Sequence, residues 1–325
     1  MTSTPRYSDP AATTPVRDIE FREAPYILFS GFGMGTADVV PGVSGGTMAV
    51  ALGIYHQLLS AIASINARAV GALLRGRIGD LLKVVHYRFL LALLTGVGLG
   101  VAVMVKVVRL PELILEKPKP VYAVFFGLVL ASAILLGRTL PRWSTSRVLA
   151  LLLGGVFGFA VVNLVPVATP TASWFIFLCG FVSICAMVLP GISGSFVLLI
   201  LGKYSYILGA LGELNFGVII PFALGALLGI TSFSRLVAWA LSRYHDVVLA
   251  NLVGLLLGSL WRIWPYQHVT TVVVREKPRV IAATPYFPDV LEPDVVALLI
   301  TGFALVFVLE FVAGLRRRGA AVAAQ

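Results

Sequence analysis

The sequence predicts an all-α polytopic membrane protein built as an inverted repeat, each half one re-entrant helical hairpin followed by three transmembrane helices. Three observations predict it. Hydrophobic residues make up 58% of the 325 residues, 12% are charged and the mean hydropathy is +0.95, far outside soluble averages. One stretch carrying a Pro-Gly break occurs twice. Basic residues collect on alternate sides of the apolar spans, as orientation in a membrane requires.

The repeated stretch is residues 31–62, GFGMGTADVVPGVSGGTMAVALGIYHQLLSAI, and residues 180–211, GFVSICAMVLPGISGSFVLLILGKYSYILGAL. A shift of 149 aligns them without a gap, and 13 of the 32 positions are identical, among them Pro41/Pro190, Gly42/Gly191, Ser44/Ser193, Gly45/Gly194, Gly53/Gly202 and Tyr55/Tyr204. Drift between apolar segments exchanges Leu for Val and does not reproduce Pro-Gly-x-Ser-Gly. Proline removes a backbone donor and glycine admits positive φ, so each copy interrupts any helix that enters it. In lipid such a break must be buried in protein or line a cavity.

Taken in order, residues 1–25 are polar and of mixed sign, with neither the apolar core nor the cleavage site of a signal peptide, and are expected to be a disordered cytoplasmic tail. The first repeat is residues 26–166: a hairpin, then spans near 89–107, 121–138 and 147–166. The second is residues 174–315: a hairpin, then spans near 217–241, 247–264 and 294–314. Residues 316–325 form a basic cytoplasmic tail. Splitting a hairpin at its break leaves arms of about 15 residues, roughly 22 Å of helix against a hydrocarbon core of about 30 Å. The arms therefore read as re-entrant rather than crossing. Gly96/Gly100, Gly154/Gly158, Gly225/Gly229 and Gly254/Gly258 are small-xxx-small pairs that let helices approach closely.

A hairpin returns to its starting side and three crossings do not, so the second half would be inserted upside down. Charge supports this. Arg6, Arg17, Arg22, Arg68, Arg75, Arg77, Lys83, Arg88, Arg138, Arg142, Arg147, Arg235, Arg243 and Arg316 to Arg318 make sixteen on one face. Lys106, Arg109, Lys117, Lys119, Arg262, Arg275, Lys277 and Arg279 make eight on the other, offset by most of the loop acids. Both termini are then expected in the cytoplasm, the protein sitting in the cytoplasmic membrane. The same loop placement explains the net charge of +10 without a nucleic-acid partner.

The breaks carry the candidate chemistry. Backbone N–H groups beside Gly42, Gly45, Gly46, Gly191 and Gly194, with the hydroxyls of Ser44, Thr47, Ser193 and Ser195, form the pattern of an anion cradle suited to phosphate or carboxylate. The bland reading is a glycine-rich bend needed only for packing. Asp38 and Lys203 are charges within the hairpins: they could pair with each other, couple a proton, or in the case of Lys203 hold a phosphate, against capping by Asp38 and snorkelling by Lys203. Lys106 and Arg235 lie at mirrored depths and suit a headgroup on each face or interfacial anchoring. Tyr55 and Tyr204 suit a headgroup hydrogen bond or an aromatic belt. Gly42-x-Ser44-x-Gly46 formally matches a nucleophile elbow, but no His is centred in a span to act as base. Cys179 and Cys185 have no ligand spacing, and no metal is expected.

The motif Gly-x-x-x-Gly-x-Ala37-Asp38-x-x-Pro41-Gly42-Val43-Ser44-Gly45-Gly46-Thr47, then Gly53-Ile54-Tyr55 and later Leu189-Pro190-Gly191-Ile192-Ser193-Gly194-Ser195-Phe196, resembles the polyprenyl-phosphate (undecaprenyl phosphate) transporter family, PopT, once a membrane domain of unknown function. The similarity covers about residues 25–315. It implies a translocase, not an enzyme, that returns the lipid carrier from the outer to the cytoplasmic leaflet for cell-wall and surface-polymer synthesis. Its partners would be polyprenyl phosphate and membrane lipids. No cofactor is called for; a coupling proton or sodium ion stays open, as does the oligomeric state. A small-anion transporter or channel is the alternative, and an intramembrane serine hydrolase a remote one. The resemblance supplies no catalytic residues and no role for Lys203.

Overall fold

Both Pro-Gly stretches shape the chain in the same way. The computed structural model describes residues 18–40, 43–65, 69, 71–72, 75–140, 142–164, 169–274 and 277–323. In the first half α1 (Ala24–Asp38, 15 residues) runs to the break, α2 (Gly45–Ala51) has only 7 residues, and α3 (Tyr55–Ala63) has 9. The second half repeats the pattern with α9 (Ser173–Val188), α10 (Gly194–Ile200) and α11 (Tyr204–Gly212), of 16, 7 and 9 residues.

The first arm of each hairpin has the expected length, but the second is not one helix. Gly53 and Gly202 sit at φ +68° and +62°, a left-handed conformation that ends α2 and α10. The chain then closes each helix with the equivalent bond, Ile54 N–H to the Ala49 carbonyl and Lys203 N–H to that of Leu198, both 2.9 Å. In the second half α10 and α11 consequently meet at 109°.

Between and after these units run α4 (Ile78–Val84), α5 (Tyr87–Lys106), α6 (Leu110–Glu116), α7 (Pro118–Arg138), α8 (Thr145–Val162), α12 (Phe216–Arg243), α13 (His245–Ser259) with a 3₁₀ turn over Leu260–Ile263, and α14 (Pro293–Ala323). Among the described residues five helices are long and apolar enough to cross a membrane: α5, α7, α8, α12, and α13 with its 3₁₀ turn. The bent pair α10 and α11 would count as a sixth. Where the final span is expected, residues 294–314, the chain forms the longer α14, of which Pro293–Val308 is a shorter apolar helix among the described residues. Leu153 and Val156 on α8 are 66% and 68% exposed, and Leu227 and Leu228 on α12 are also exposed, so these helices present apolar faces where lipid would lie.

Glycine sets how the helices pair, and it does so twice. A Cβ on Gly31 would come 2.2 Å from the Leu93 carbonyl oxygen, and one on Gly96 2.0 Å from that of Leu28, so α1 and α5 touch backbone to backbone. The equivalent positions do the same between α9 and α12: Gly180 against the Phe222 carbonyl at 2.1 Å and Gly225 against that of Phe177 at 1.9 Å. A second set exchanges helices between the halves. Gly302 of α14 lies against the Val124 carbonyl of α7, and Gly154 of α8 against the Asn251 carbonyl of α13. The last span of each half thus packs on the middle span of the other.

Three expectations change. The fold is not wholly helical: β1 (Gln267–Val274) and β2 (Lys277–Pro285) form an antiparallel hairpin in the long loop, where β-branched residues in Thr270-Thr271-Val272-Val273-Val274 outweigh any helical period. The disordered tail expected through residue 25 ends earlier, because Ile19 is buried and the Asp18 carboxylate accepts the N–H groups of Arg88 and Phe89, capping α5. At the other terminus the helix continues through the expected basic tail to Ala323, and Gly42 and Pro41 lie outside the described residues.

Two groups of polar and aromatic contacts tie loops together. Asp18 reaches Arg88, Ser64 reaches His86, Arg235 reaches the Ile65 carbonyl and Arg147 pairs with Asp246, all within segments expected on the cytoplasmic face. Lys119 pairs with Glu292 at 2.6 Å and lies over the Tyr266 ring, while Trp264 meets Phe126, Phe287 and Tyr266, within or beside segments expected on the other face.

Candidate functional site

The two breaks come together inside the protein. Ser44, extended at φ −120°, ψ 136°, is the N-cap of α2, and its Oγ accepts the Gly46 N–H at 3.1 Å. Asp38, the last residue of α1, accepts the Gly45 N–H through Oδ1 at 2.7 Å. The first turn of α2 is therefore satisfied by a serine and a carboxylate of its own half. Thr47, one position further, points the other way: its Oγ1 accepts the Gly191 N–H of the second break at 2.9 Å.

Two further contacts close this junction. The Tyr55 hydroxyl donates to the Val188 carbonyl at the end of α9, at 3.1 Å. Gly46 faces the same helix end, and a Cβ there would lie 3.2 Å from the Met187 carbonyl oxygen. Gly191 itself has φ +90°, and a Cβ on it would come 2.9 Å from Ser259 Oγ and 3.1 Å from the Leu255 carbonyl. A non-glycine residue there would be both strained and crowded. Ser44 and Thr47 are fully buried and Ser193 nearly so.

The second copy is finished differently. Ser193 is the N-cap of α10 by position, yet its side chain makes no capping bond; its Oγ lies 2.8 Å from Ser195 Oγ. Gly194 packs against the Ser183 carbonyl, 2.5 Å from a Cβ placed on it. Ser195 is exposed. No carboxylate stands where Asp38 stands in the first copy, because its counterpart is Met187.

Of the expected site residues, Ser44, Gly45, Gly46, Thr47, Gly191, Ser193, Gly194 and Ser195 thus belong to one junction or its immediate continuation, with Asp38 and Tyr55 beside them. Others lie apart. Lys203 is buried and donates to the Thr169 carbonyl at 2.6 Å, over the Tyr206 ring, so it neither snorkels nor pairs with Asp38. Tyr204 packs with the cluster of Ile176, Cys179 and Ile207. Lys106 is exposed at the end of α5, and Arg235 is exposed with its guanidinium on the Ile65 carbonyl. As for a nucleophile, Ser44 Oγ is taken by Gly46, Ser193 Oγ by Ser195, and the His56 ring stacks on His245. Among the described residues no group of three or more His, Cys, Asp or Glu could hold a metal ion.

Two residues of the junction were not expected. Ser259, on α13, abuts Gly191, and Arg262, on the 3₁₀ turn, holds its guanidinium 4.8 Å from the centre of the Phe196 ring. Arg262 reads in the sequence as an ordinary loop cation, since nothing local shows that the turn folds it back onto α10.

A bundle of long apolar helices packed around two helix breaks defines a multi-pass membrane protein. The chain belongs to the VCA0040-like family, described as undecaprenyl phosphate translocase-like, whose model matches residues 34–281. It is 38% identical over 238 residues to the polyprenyl-phosphate transporter of Vibrio cholerae serotype O1 (strain ATCC 39315 / El Tor Inaba N16961), covering 73% of this chain and 77% of that one. It is 28% identical over 257 residues to the polyprenyl-phosphate transporter of Staphylococcus aureus (strain NCTC 8325 / PS 47), covering 73% and 85%. No solved structure matches the chain.

Proposed function

We propose that this protein is a lipid-carrier translocase that returns undecaprenyl phosphate, or another polyprenyl phosphate, from the outer to the inner leaflet of the cytoplasmic membrane. The relatives' names supply the substrate class. The structural observation that carries the reading is the bond from Gly191 N–H to Thr47 Oγ1, which makes the two breaks one buried polar place. A phosphate taken out of water without partners would be prohibitively costly, so a translocase needs donors gathered at depth while the prenyl tail stays in lipid. Hydroxyls of Ser193 and Ser195, with the N–H of Gly194, are donors of that kind.

In this reading the halves are inverted repeats, both termini are cytoplasmic, and the protein rocks one half against the other without covalent chemistry. The equivalent glycine contacts in the two halves and the exchange of their last spans support the repeat. The sixteen-to-eight division of basic residues supports the orientation. Asp38 is the group at the junction that a coupling proton would use.

Reconstitution into liposomes with a polyprenyl phosphate confined to one leaflet tests the proposal. The wild-type protein is expected to accelerate leaflet exchange, and S44A with S193A together to abolish it while the protein still folds. Uptake of a soluble anion with no lipid exchange would replace this reading with the small-anion transporter.

A further inference from the structure

The two breaks are equivalent in sequence and opposite in charge. Asp38 at the first has Met187 as its counterpart, while Arg262, near the second, aligns with Leu135 of α7 when Gly254 and Ser259 are matched to Gly127 and Ser132. At the first break the Gly45 N–H already holds the Asp38 carboxylate, and a Cβ on Gly45 would come 2.7 Å from Asp38 Oδ2. A resident anion fills that place and repels another.

The second break is built for the opposite sign. The 3₁₀ turn over Leu260–Ile263 prolongs α13 with three residues per turn, which puts Ser259 and Arg262 on one side. Ser259 lies against Gly191 at the start of the break. Arg262 lies over Phe196, next in the chain to the exposed Ser195, whose hydroxyl is shared with Ser193. Phe196 is itself buried in a cluster with Val162 and Ile200, so the ring that carries the guanidinium is fixed. Tyr122, buried on α7, is close enough to Arg262 to interact with it electrostatically. One short turn therefore brackets the second break with a hydroxyl at one end and a held cation at the other.

We propose that Arg262 is the phosphate-binding cation of the substrate site, and that the headgroup is received at the second break only, between the guanidinium and the Ser193 and Ser195 hydroxyls. A planar guanidinium suits a phosphate monoester, offering two parallel donors to two oxygens. The inference rests on the translocase reading for the identity of the lipid, but its chemistry, a monophosphate on an apolar chain, can be tested separately.

The experiment measures binding of a fifteen-carbon prenyl monophosphate to the full-length protein in detergent, with the matching prenyl alcohol as control, alongside leaflet exchange in liposomes. R262Q is expected to weaken prenyl phosphate binding by about tenfold to a hundredfold, the loss of one charge-assisted contact, and R262K to fall between the two. Binding of the alcohol stays the same in all three. Should R262Q fail to fold, F196L removes the ring beneath the guanidinium and is expected to weaken binding about twofold to thirtyfold. Equal affinity in wild type and the folded variants overturns the proposal, as does a wild-type protein that binds alcohol and phosphate equally. Normal leaflet exchange by R262Q with unchanged affinity sinks the Arg262 role and leaves the translocase standing. Arg262-dependent binding without leaflet exchange does the reverse.

Discussion

Replacing Thr47 with valine removes one hydroxyl and almost no volume, so it isolates the bond that joins the two breaks. Thr47 is fully buried and its Oγ1 accepts the Gly191 N–H at 2.9 Å. Gly191 is held at φ +90° between Ser259 and the Leu255 carbonyl, which leaves its N–H little freedom to turn toward another acceptor. An orphaned buried donor costs about 1–3 kcal/mol in water-soluble proteins. Hydrogen bonds between membrane helices average about 0.6 kcal/mol with a maximum near 1.7, because the separated segments find other partners. The two ranges overlap near 1 to 1.7 kcal/mol, and T47V should lose about that much. The assay is unfolding in detergent, read together with hydrogen exchange of a peptide spanning residues 189–193, where the Gly191 amide should lose protection. Leaflet exchange should fall with it. Unchanged stability and unchanged protection at Gly191 would refute the argument that this bond couples the halves.

Two further outcomes follow from the same contacts. G96A and G225A should each separate a helix pair, since the added Cβ would sit 2.0 and 1.9 Å from a carbonyl oxygen; each should cost roughly 1–3 kcal/mol, whereas G98A, with nothing within 4 Å, should be tolerated. Similar losses at 96 and 225 in detergent unfolding would fit a repeated architecture, and a loss at only one of them would not. H268C, placed at an exposed position on β1, should be labelled by an impermeant thiol reagent from outside the cell and not from the cytoplasmic side; the opposite result would invert the proposed orientation.

The two breaks are finished unequally. A symmetric pair of cradles would hold the headgroup equally well from either side. Here the Asp38 carboxylate holds the Gly45 N–H in one copy, while Arg262 lies over the Phe196 ring in the other. Asp38 at the first break, Met187 at the matching position of the second, and Arg262 over Phe196 give the two helix ends different electrostatic characters.

Much of this was legible in residue order. Backbone chemistry alone places the breaks: proline without a donor and glycine with positive φ stop a helix wherever they stand, so Pro-Gly-x-Ser-Gly marks the ends of α1 and α9. Span positions follow from hydropathy, because lipid requires about 20 apolar residues per crossing. Gly96 and Gly225 announce close helix contacts. The second arm of each hairpin was less visible, although Gly53 and Gly202 were the signal: a single glycine in apolar text reads as a packing residue until its φ is known.

Tertiary structure alone decided who meets whom. That Thr47 bonds to Gly191, 144 residues away, that Lys203 is spent on the Thr169 carbonyl, and that the 3₁₀ turn lays Arg262 on Phe196 depend on how helices far apart in sequence pack. A residue's type fixes what it can donate, accept or carry as charge; only the fold fixes whether the partner is its own backbone, another helix or a substrate. The sequence by itself thus determined a membrane protein with two matched helix breaks, and the packing of those breaks determined that one holds an anion of its own while the other has a cation beside it.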